Sequence, residues 1–184
     1  MRAALRRRRR RLARESADAG ARAALRLPLE ALPNYTVVGG YHALGSEIDP
    51  APLIARLQAN GATLALPVVV RRRGALIFRV SISQMGLTPD LLGIPAPSAD
   101  APLVIPDLVI APLIAFDRGG RRMGQGAGHY DSTIARLRAA GPVFVIGLAY
   151  AGQEVARVFT EAHDQSMDAI LTEDEYFEIA RAAL

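Results

Sequence analysis

Two rhythms of apolar residues run along this chain of 184 residues. In one, apolar positions return every three or four residues, as in a helix with one buried face; in the other they form short unbroken runs, as in a strand covered on both sides. "DPAPLIARLQANG" has the helical rhythm, with Asp49 as N-cap, Pro50 in the first helical position and Gly61 as the stop. "YDSTIARLRAAG" has it too, closed by Gly141. "YTVVGGYHAL", "ATLALPVVV", "ALIFRVSI", "DLVIAPLIAF", "PVFVIGLAY" and "DAILT" predict strands. "GQEVARVF" predicts a short helix and "EDEYFEIARAAL" a closing one, while the Pro-rich stretch from Leu87 to Pro106 predicts irregular chain. Strands alternating with helices predict an α/β fold, Rossmann-like and three-layered, with a mainly parallel sheet flanked by helices. The length fits one domain over residues 1–184, and no internal repeat is visible.

The start of the chain is different in kind. Ala, Arg and Leu are good helix formers and predict one basic helix over about residues 1–26, ended by the two prolines of "LPLEALPN". Leu5, Leu12 and Ala19 recur at seven and predict its buried stripe. Eight arginines lie within the first 14 residues with no acid among them. The formal charge of +4 comes from that segment, since the rest of the chain holds 14 basic against 18 acidic residues. No cysteine is present, which excludes disulfides and thiolate metal sites. The N-terminus lacks the apolar core of a signal peptide, and the longest apolar runs are broken by proline and aspartate, so a cytoplasmic protein without a membrane partner is expected.

Candidate chemistry concentrates in "RRMGQGAGHYD", Arg121 to Asp131. The stretch follows a predicted central strand and leads into a predicted helix, where ligands bind in open α/β sheets. Successive glycines, free N–H groups and a helix N-terminus form an anion cradle, and Arg121 and Arg122 supply positive charge for phosphate oxygens. Asp131 is then placed for the Mg²⁺ of a nucleotide. The G-x-G-x-G spacing matches neither the Walker A loop nor the dinucleotide fingerprint. From the residues alone, a Gly-rich turn with Asp131 as a helix cap stays open.

"APLIAFDRGGRRMGQGAGHYD" resembles the signature of the 5-formyltetrahydrofolate cyclo-ligase (5,10-methenyltetrahydrofolate synthetase) family. The likeness extends through "GYHALGSEIDPAPLIARLQANGATLALPVV", "GLAYAGQEVARVFTEAHDQSMDAILTE" and "MRAALR", in order over nearly the whole chain. It implies ATP- and Mg²⁺-dependent conversion of 5-formyltetrahydrofolate to 5,10-methenyltetrahydrofolate through a phosphorylated formyl group, with release of ADP and phosphate. ATP is the co-substrate, and the folate comes with or without a polyglutamate tail; a monomer is expected. Carried over residue by residue, Arg122, Met123, Gly124, Gln125, Gly126, Ala127, Gly128, His129 and Tyr130 wrap ATP, with Arg122, Gln125 and Tyr130 nearest the chemistry. Arg2 and Arg6 reach the nucleotide from the first helix, on one face at i, i+4. His42 and Glu47 hold the folate, and Asp131 and Asp164 hold Mg²⁺. Arg2, Gln125, Ala127 and His129 depart from the residues usual in the family, as does "IPAP".

Other readings compete with these. Glu47 can act only on a helix dipole, and Asp164 can be an ordinary loop acid. The Arg6–Arg11 run can be a nucleic-acid arm, and a non-catalytic relative can bind folate or nucleotide alone. No aromatic interleaves with the run, so an exposed basic helix face is favoured over nucleic acid as partner. A helix cannot aim five consecutive residues at one ligand, so Arg7 to Arg11 are read as mostly bystanders.

Overall fold

A computed structural model describes residues 1–82 and 86–180. Its frame is an eight-stranded sheet built from β1 (Val37–Gly39), β2 (Thr63–Val68), β3 (Ile77–Val80), β6 (Leu103–Val104), β7 (Leu108–Pro112), β10 (Phe144–Leu148), β11 (Ala169–Leu171) and β12 (Tyr176–Glu178). The order across the sheet is β12-β11-β10-β7-β1-β2-β3-β6. The pairs from β11 through β2 are parallel, and the outer pairs β11–β12, β2–β3 and β3–β6 are antiparallel. The predicted mainly parallel sheet flanked by helices is therefore observed.

Strand geometry sends successive side chains to opposite faces. Leu108 and Ile110 of β7, Ile146 and Leu148 of β10, and Ala169 and Leu171 of β11 point to one face. There they meet α2 (Ala19–Arg26) and α3 (Ala51–Ala59) through Ala23, Leu53 and Leu57. Val109, Ala111, Val145 and Ile170 point to the other, against Ile134 and Leu137 of α4 (His129–Ala140). Burial on both faces explains the unbroken apolar runs of these strands. Among the described residues no helix is long and apolar enough to cross a membrane.

The first helix differs from its prediction. It is two helices, α1 (Arg2–Glu15) and α2, separated at Ser16–Asp18. Ser and Asp compete with helix backbone for hydrogen bonds and favour turns. The break lets α1 dock separately. Its Leu12 lies where a side chain on Gly152 would stand, 2.6 Å from an added Cβ.

Other boundaries move for local reasons. The N-cap of α3 is Pro50, one residue later than expected, although Asp49 Oδ1 still accepts from Ala51 N–H at 3.0 Å. "GQEVARVF" gives one 3₁₀ turn, Ala151–Gln153, after which Val155 N–H bonds to the Phe116 carbonyl and the chain runs extended. At the start of the expected closing helix, Asp174 and Glu175 N–H donate instead to Oγ1 of Thr172, the residue just before it. That turn folds β12 back antiparallel on β11, so local turn chemistry overrides helix propensity. The end of that segment, 181–184, lies outside the described residues. The Pro-rich stretch holds β4 (Leu87–Pro89) and β5 (Pro95–Pro97) as a hairpin, and then β6.

Helix α2 sits so close to the segment leading into α3 that Gly20 has no room for a side chain. An added Cβ would lie 2.3 Å from the Asp49 carbonyl oxygen. Backbone cannot swing aside as a side-chain tip can, so Gly20→Ala is expected to cost about 1–3 kcal/mol of overpacking, against about 1 kcal/mol gained in helix propensity. Gly141 faces open space with extended backbone, and Gly141→Ala is expected to stay within about 0.5 kcal/mol of wild type. Denaturant unfolding compares them; a more stable Gly20→Ala would show that the close approach is absent.

Candidate functional site

The connections from β1 and β7 run to opposite sides of the sheet, so a crevice opens between these neighbours at their carboxyl ends. A cavity of about 240 Å³ lies there. Tyr41, His42, Leu44 and Glu47, from the chain after β1, form one wall, and Pro112 and Leu113 at the end of β7 form the floor. Pro67 and Val69 at the end of β2, Leu76, and Leu92 and Ile94 of the β4–β5 connection supply apolar surface. Arg122, Gly124, Gln125 and the run from Ala127 to Asp131 close the remaining side.

The glycine loop does not follow the central strand directly. β8 (Ala115–Phe116) and β9 (Arg122–Met123) form a two-stranded ribbon in between, and the loop joins β9 to α4. Gly126 at φ +105° and Gly128 at φ +70° give the loop its turn, and Gly128 is the N-cap of α4. These are backbone conformations that side-chain-bearing residues rarely adopt. Gly128 holds the N-cap position, so Asp131 is not the cap but lies in the first turn.

Met123 is the one member of the expected ATP loop whose side chain turns away. It packs with Ala115 and Val158, and its carbonyl accepts from Ile114 N–H at 2.8 Å. Arg122 is buried; Nη2 donates to Asp131 Oδ1 at 2.8 Å and Nη1 to the Gln165 carbonyl at 2.6 Å. Its Nε has no partner among the described residues. Asp131 Oδ1 also accepts from Gln165 N–H at 3.1 Å. Asp164, next in chain to Gln165, does not line the cavity; its Oδ2 accepts from Glu161 N–H at 2.8 Å. Among the described residues no group of three His, Cys, Asp or Glu forms a metal-holding cluster.

His129 Nδ1 bonds with the Gly74 carbonyl at 2.8 Å, which leaves Nε2 buried without a partner. His42 Nε2 is also buried and unpartnered. Both histidines line the cavity, and a buried nitrogen without a partner calls for one. Tyr130 lines it too. Burial, and after it the negative charge of Glu47, raises the Tyr130 phenol well above its usual range, opposed by Arg122. The phenol therefore stays protonated. Burial also raises the Tyr41 phenol, which donates to the Ile48 carbonyl at 2.7 Å.

The two halves of the expected site meet. Gln125 Nε2 donates to Glu47 Oε1 at 3.3 Å, linking the glycine loop to the wall after β1. Arg6 Nε donates to Gln125 Oε1 at 3.1 Å and Arg6 Nη2 to the Gln125 carbonyl at 3.0 Å, so α1 reaches the same loop. The Arg2 guanidinium lies 3.9 Å from where a Cβ on Gly126 would stand. Arg2 and Arg6 thus flank the loop on successive turns.

Arg9 is the exception among Arg7 to Arg11, read from the sequence as mostly bystanders. It is buried, its Nη1 lies 3.4 Å from Glu47 Oε1 and donates to the Leu113 carbonyl at 3.1 Å, and its Nε donates to Ser46 Oγ at 3.2 Å. A signal for it existed: Leu5, Arg9 and Leu12 share a face at i, i+4, i+7. Asp90 was also missed. Its Oδ2 accepts from Val69 N–H, and its Oδ1 from Leu92 and Ile94 N–H, fixing the β4–β5 connection as a wall of the cavity. The Asp90-Leu-Leu-Gly93 turn signature marks it in the sequence.

Comparison with known proteins follows the same outline. The 5-formyltetrahydrofolate cyclo-ligase family model matches residues 1–173. The 5-formyltetrahydrofolate cyclo-ligase of Escherichia coli (strain K12) is 32% identical over 146 residues, 77% of this chain and 80% of that protein. Its namesake in Haemophilus influenzae is 30% identical over 136 residues, 71% of this chain and 72% of that one. The solved structure of a 5,10-methenyltetrahydrofolate synthetase from Aquifex aeolicus has the same fold, with a TM-score of 0.75 at 23% identity, covering 100% of this chain and 95% of that chain. One from Mycoplasma pneumoniae gives 0.69 at 18% identity, covering 94% and 98%. With the family model matched over residues 1–173 and relatives aligned over most of both chains, this protein belongs to the 5-formyltetrahydrofolate cyclo-ligase family of enzymes.

Proposed function

We propose that this protein converts 5-formyltetrahydrofolate to 5,10-methenyltetrahydrofolate, consuming ATP and releasing ADP and phosphate. The observation that carries the reading is the meeting of Gln125 and Glu47 across one cavity, which brings a phosphate-type loop against a buried carboxylate. A formamide carbon is a poor electrophile. Transfer of the γ-phosphoryl group of ATP to the formyl oxygen turns that oxygen into a leaving group; nitrogen 10 then attacks the carbon, the ring closes and phosphate departs. Phosphoryl transfer needs positioning and charge neutralisation more than covalent help.

The chain's own residues take these roles. The N–H groups of Gly124 to Gly128 and the start of α4 receive phosphate oxygens, with Arg2, Arg6 and Arg122 as neighbouring cations. Glu47 accepts from the donor-rich edge of the pterin, and the apolar wall from Pro67 to Ile94 covers its ring. His42 and His129 offer their unpartnered nitrogens. Tyr130, held protonated, donates and does not act as a base. Mg²⁺ fits the donor set: Asp131 keeps Oδ2 without a hydrogen bond among the described residues, Asp164 stands beside Gln165, and Mg²⁺ takes one or two carboxylates plus water and phosphate. Bound there, it neutralises phosphate charge.

The direct test follows methenyl absorbance and phosphate release with purified protein, 5-formyltetrahydrofolate and Mg-ATP. Product in step with phosphate, and none without ATP, is expected. Binding of both ligands without product would make the protein a non-catalytic relative.

Gly126→Val puts a β-branched residue at φ +105° in the loop. It is expected to raise the Kd for ATP at least about tenfold, the equivalent of one lost charge-assisted contact, in a folded protein. Unchanged ATP affinity would remove the loop from the nucleotide site.

Arg9→Gln strands a buried carboxylate, and is expected to cost about 3–5 kcal/mol in denaturant unfolding. Adding Glu47→Gln is expected to restore part of that loss, because the double variant buries no unpaired charge. Glu47→Gln alone is expected to weaken folate binding about tenfold or more with ATP binding unaltered. Additive stability losses in the double variant would show that the two side chains do not pair.

A further inference from the structure

Gln125 stands between the glycine loop and the wall after β1, and it is held from both sides. Arg6 Nε donates to its Oε1 at 3.1 Å and Arg6 Nη2 to its backbone carbonyl at 3.0 Å. A guanidinium can only donate, so the amide oxygen faces Arg6 and the amide nitrogen faces the other way. That nitrogen, Nε2, donates to Glu47 Oε1 at 3.3 Å. The row Arg6–Gln125–Glu47 therefore has one polarity, from a cation that only donates to a carboxylate that only accepts.

The Glu47 carboxylate has little left to offer a ligand. Its two oxygens provide about four acceptor positions. Among the described residues, Oε1 accepts from Arg9 Nη1 at 3.4 Å and from Gln125 Nε2, and Oε2 accepts from Leu44 N–H at 3.0 Å. What remains is on Oε2. A pterin presents a ring N–H and an amino group side by side, a pair that takes one position on each oxygen. One donor on Oε1 must therefore leave. Arg9 is fixed: it is buried, it also donates to Ser46 Oγ and the Leu113 carbonyl, and its departure would strand a buried charge. Gln125 is exposed, its bond to Glu47 is long, and the loop around it packs loosely, since a Cβ added at Gly124 or Gly128 would meet nothing within 4 Å. Gln125 is the donor that gives way.

We propose that Gln125 is a positioning residue that couples the two substrates: the pterin takes its place on Glu47, and the released amide N–H turns to the phosphates held by its own loop. The proposal rests on the function proposed above. In the free protein the amide N–H is engaged with a carboxylate and is withheld from phosphate. Once the pterin holds Glu47, that N–H serves the other anion. The opposite order works the same way, because a phosphate that draws the amide leaves Oε1 open to the pterin. Each ligand removes a competitor of the other, so the two bind cooperatively and by the same factor in either order.

The test is calorimetry with Mg²⁺, 5-formyltetrahydrofolate and the β,γ-imido analogue of ATP, which binds without transferring its phosphoryl group. In wild type, saturating 5-formyltetrahydrofolate is expected to lower the Kd of the analogue by about threefold to tenfold, the size of one hydrogen bond's contribution, and saturating analogue to lower the Kd of the folate by the same factor. Gln125→Met keeps the length of the side chain and removes its amide; the position is exposed, so the variant is expected to fold normally. It is expected to bring the coupling factor to within about twofold of one, and to bind 5-formyltetrahydrofolate alone at least as tightly as wild type, because no amide competes for Glu47. A residue that only shaped the loop would change the affinity for the analogue and leave the coupling factor as it was. A factor that survives in Gln125→Met, or a factor of one in a wild type that still forms methenyl product, overturns the proposal and leaves the enzyme reading standing. A wild type that binds neither ligand overturns both.

Discussion

Taking a carboxylate and a guanidinium out of water costs several kcal/mol for each, and the cost is offset only while each finds the other and fills its remaining hydrogen-bonding positions. The Glu47 and Arg9 side chains are 6% and 5% exposed, and between them they use Leu44 N–H, Ser46 Oγ, Gln125 Nε2 and the Leu113 carbonyl. Through those partners four segments meet: α1, the loop after β1, the end of β7 and the glycine loop. Helix α1 has little apolar surface with which to dock otherwise, chiefly Leu5, Leu12 and Ala13. The pair therefore sets where α1 lies, and with it the positions of Arg2 and Arg6.

The rest of the cavity is held by the same logic on a smaller scale. Loops that line a buried space must still satisfy their backbone groups. Asp90 does this for the β4–β5 connection by accepting from Val69, Leu92 and Ile94. His129, Thr133 and Arg136, on successive turns of α4, do it for the loop after Arg73, through the Gly74 carbonyl and the Leu76 N–H and carbonyl. Helix α4 thus carries the glycine loop at its start and a second wall along its side. A change to the packing of Ile134 or Leu137 moves both.

The parallel strands and two of the helices were legible because burial on one or two faces leaves a period in the sequence. β7, β10 and β11 show it as unbroken apolar runs, and α3 and α4 show it as helical spacing closed by Gly61 and Gly141. What was not legible depended on partners far away in sequence. "GQEVARVF" has helix formers, but Val155 N–H finds the Phe116 carbonyl. "EDEYFEIA" has them too, but Thr172 closes a turn onto β11. The glycine loop was visible as a motif; its ribbon β8–β9, and the inward turn of Met123, were not, since both depend on pairing with Ile114 to Phe116. Arg9 was hidden by its neighbours: in a row of six arginines nothing but the helical phase of Leu5 and Leu12 marks the one that goes inside.

That phase gives the tract a property its composition conceals. A run of identical residues carries no register of its own, so gaining or losing one arginine leaves the local chemistry looking the same. In a helix, however, each added residue turns everything on one side of it by about 100° relative to the other. With Leu12 seated over Gly152, an extra arginine anywhere between positions 6 and 11 would still offer a guanidinium to Glu47, yet would rotate Leu5, Arg2 and the start of the chain away from the glycine loop. The length of the tract is therefore constrained to the single residue, and its chemistry most tightly at Arg6 and Arg9, which hold the glycine loop and Glu47. Across relatives, variation in this segment should appear as substitution and not as insertion or deletion.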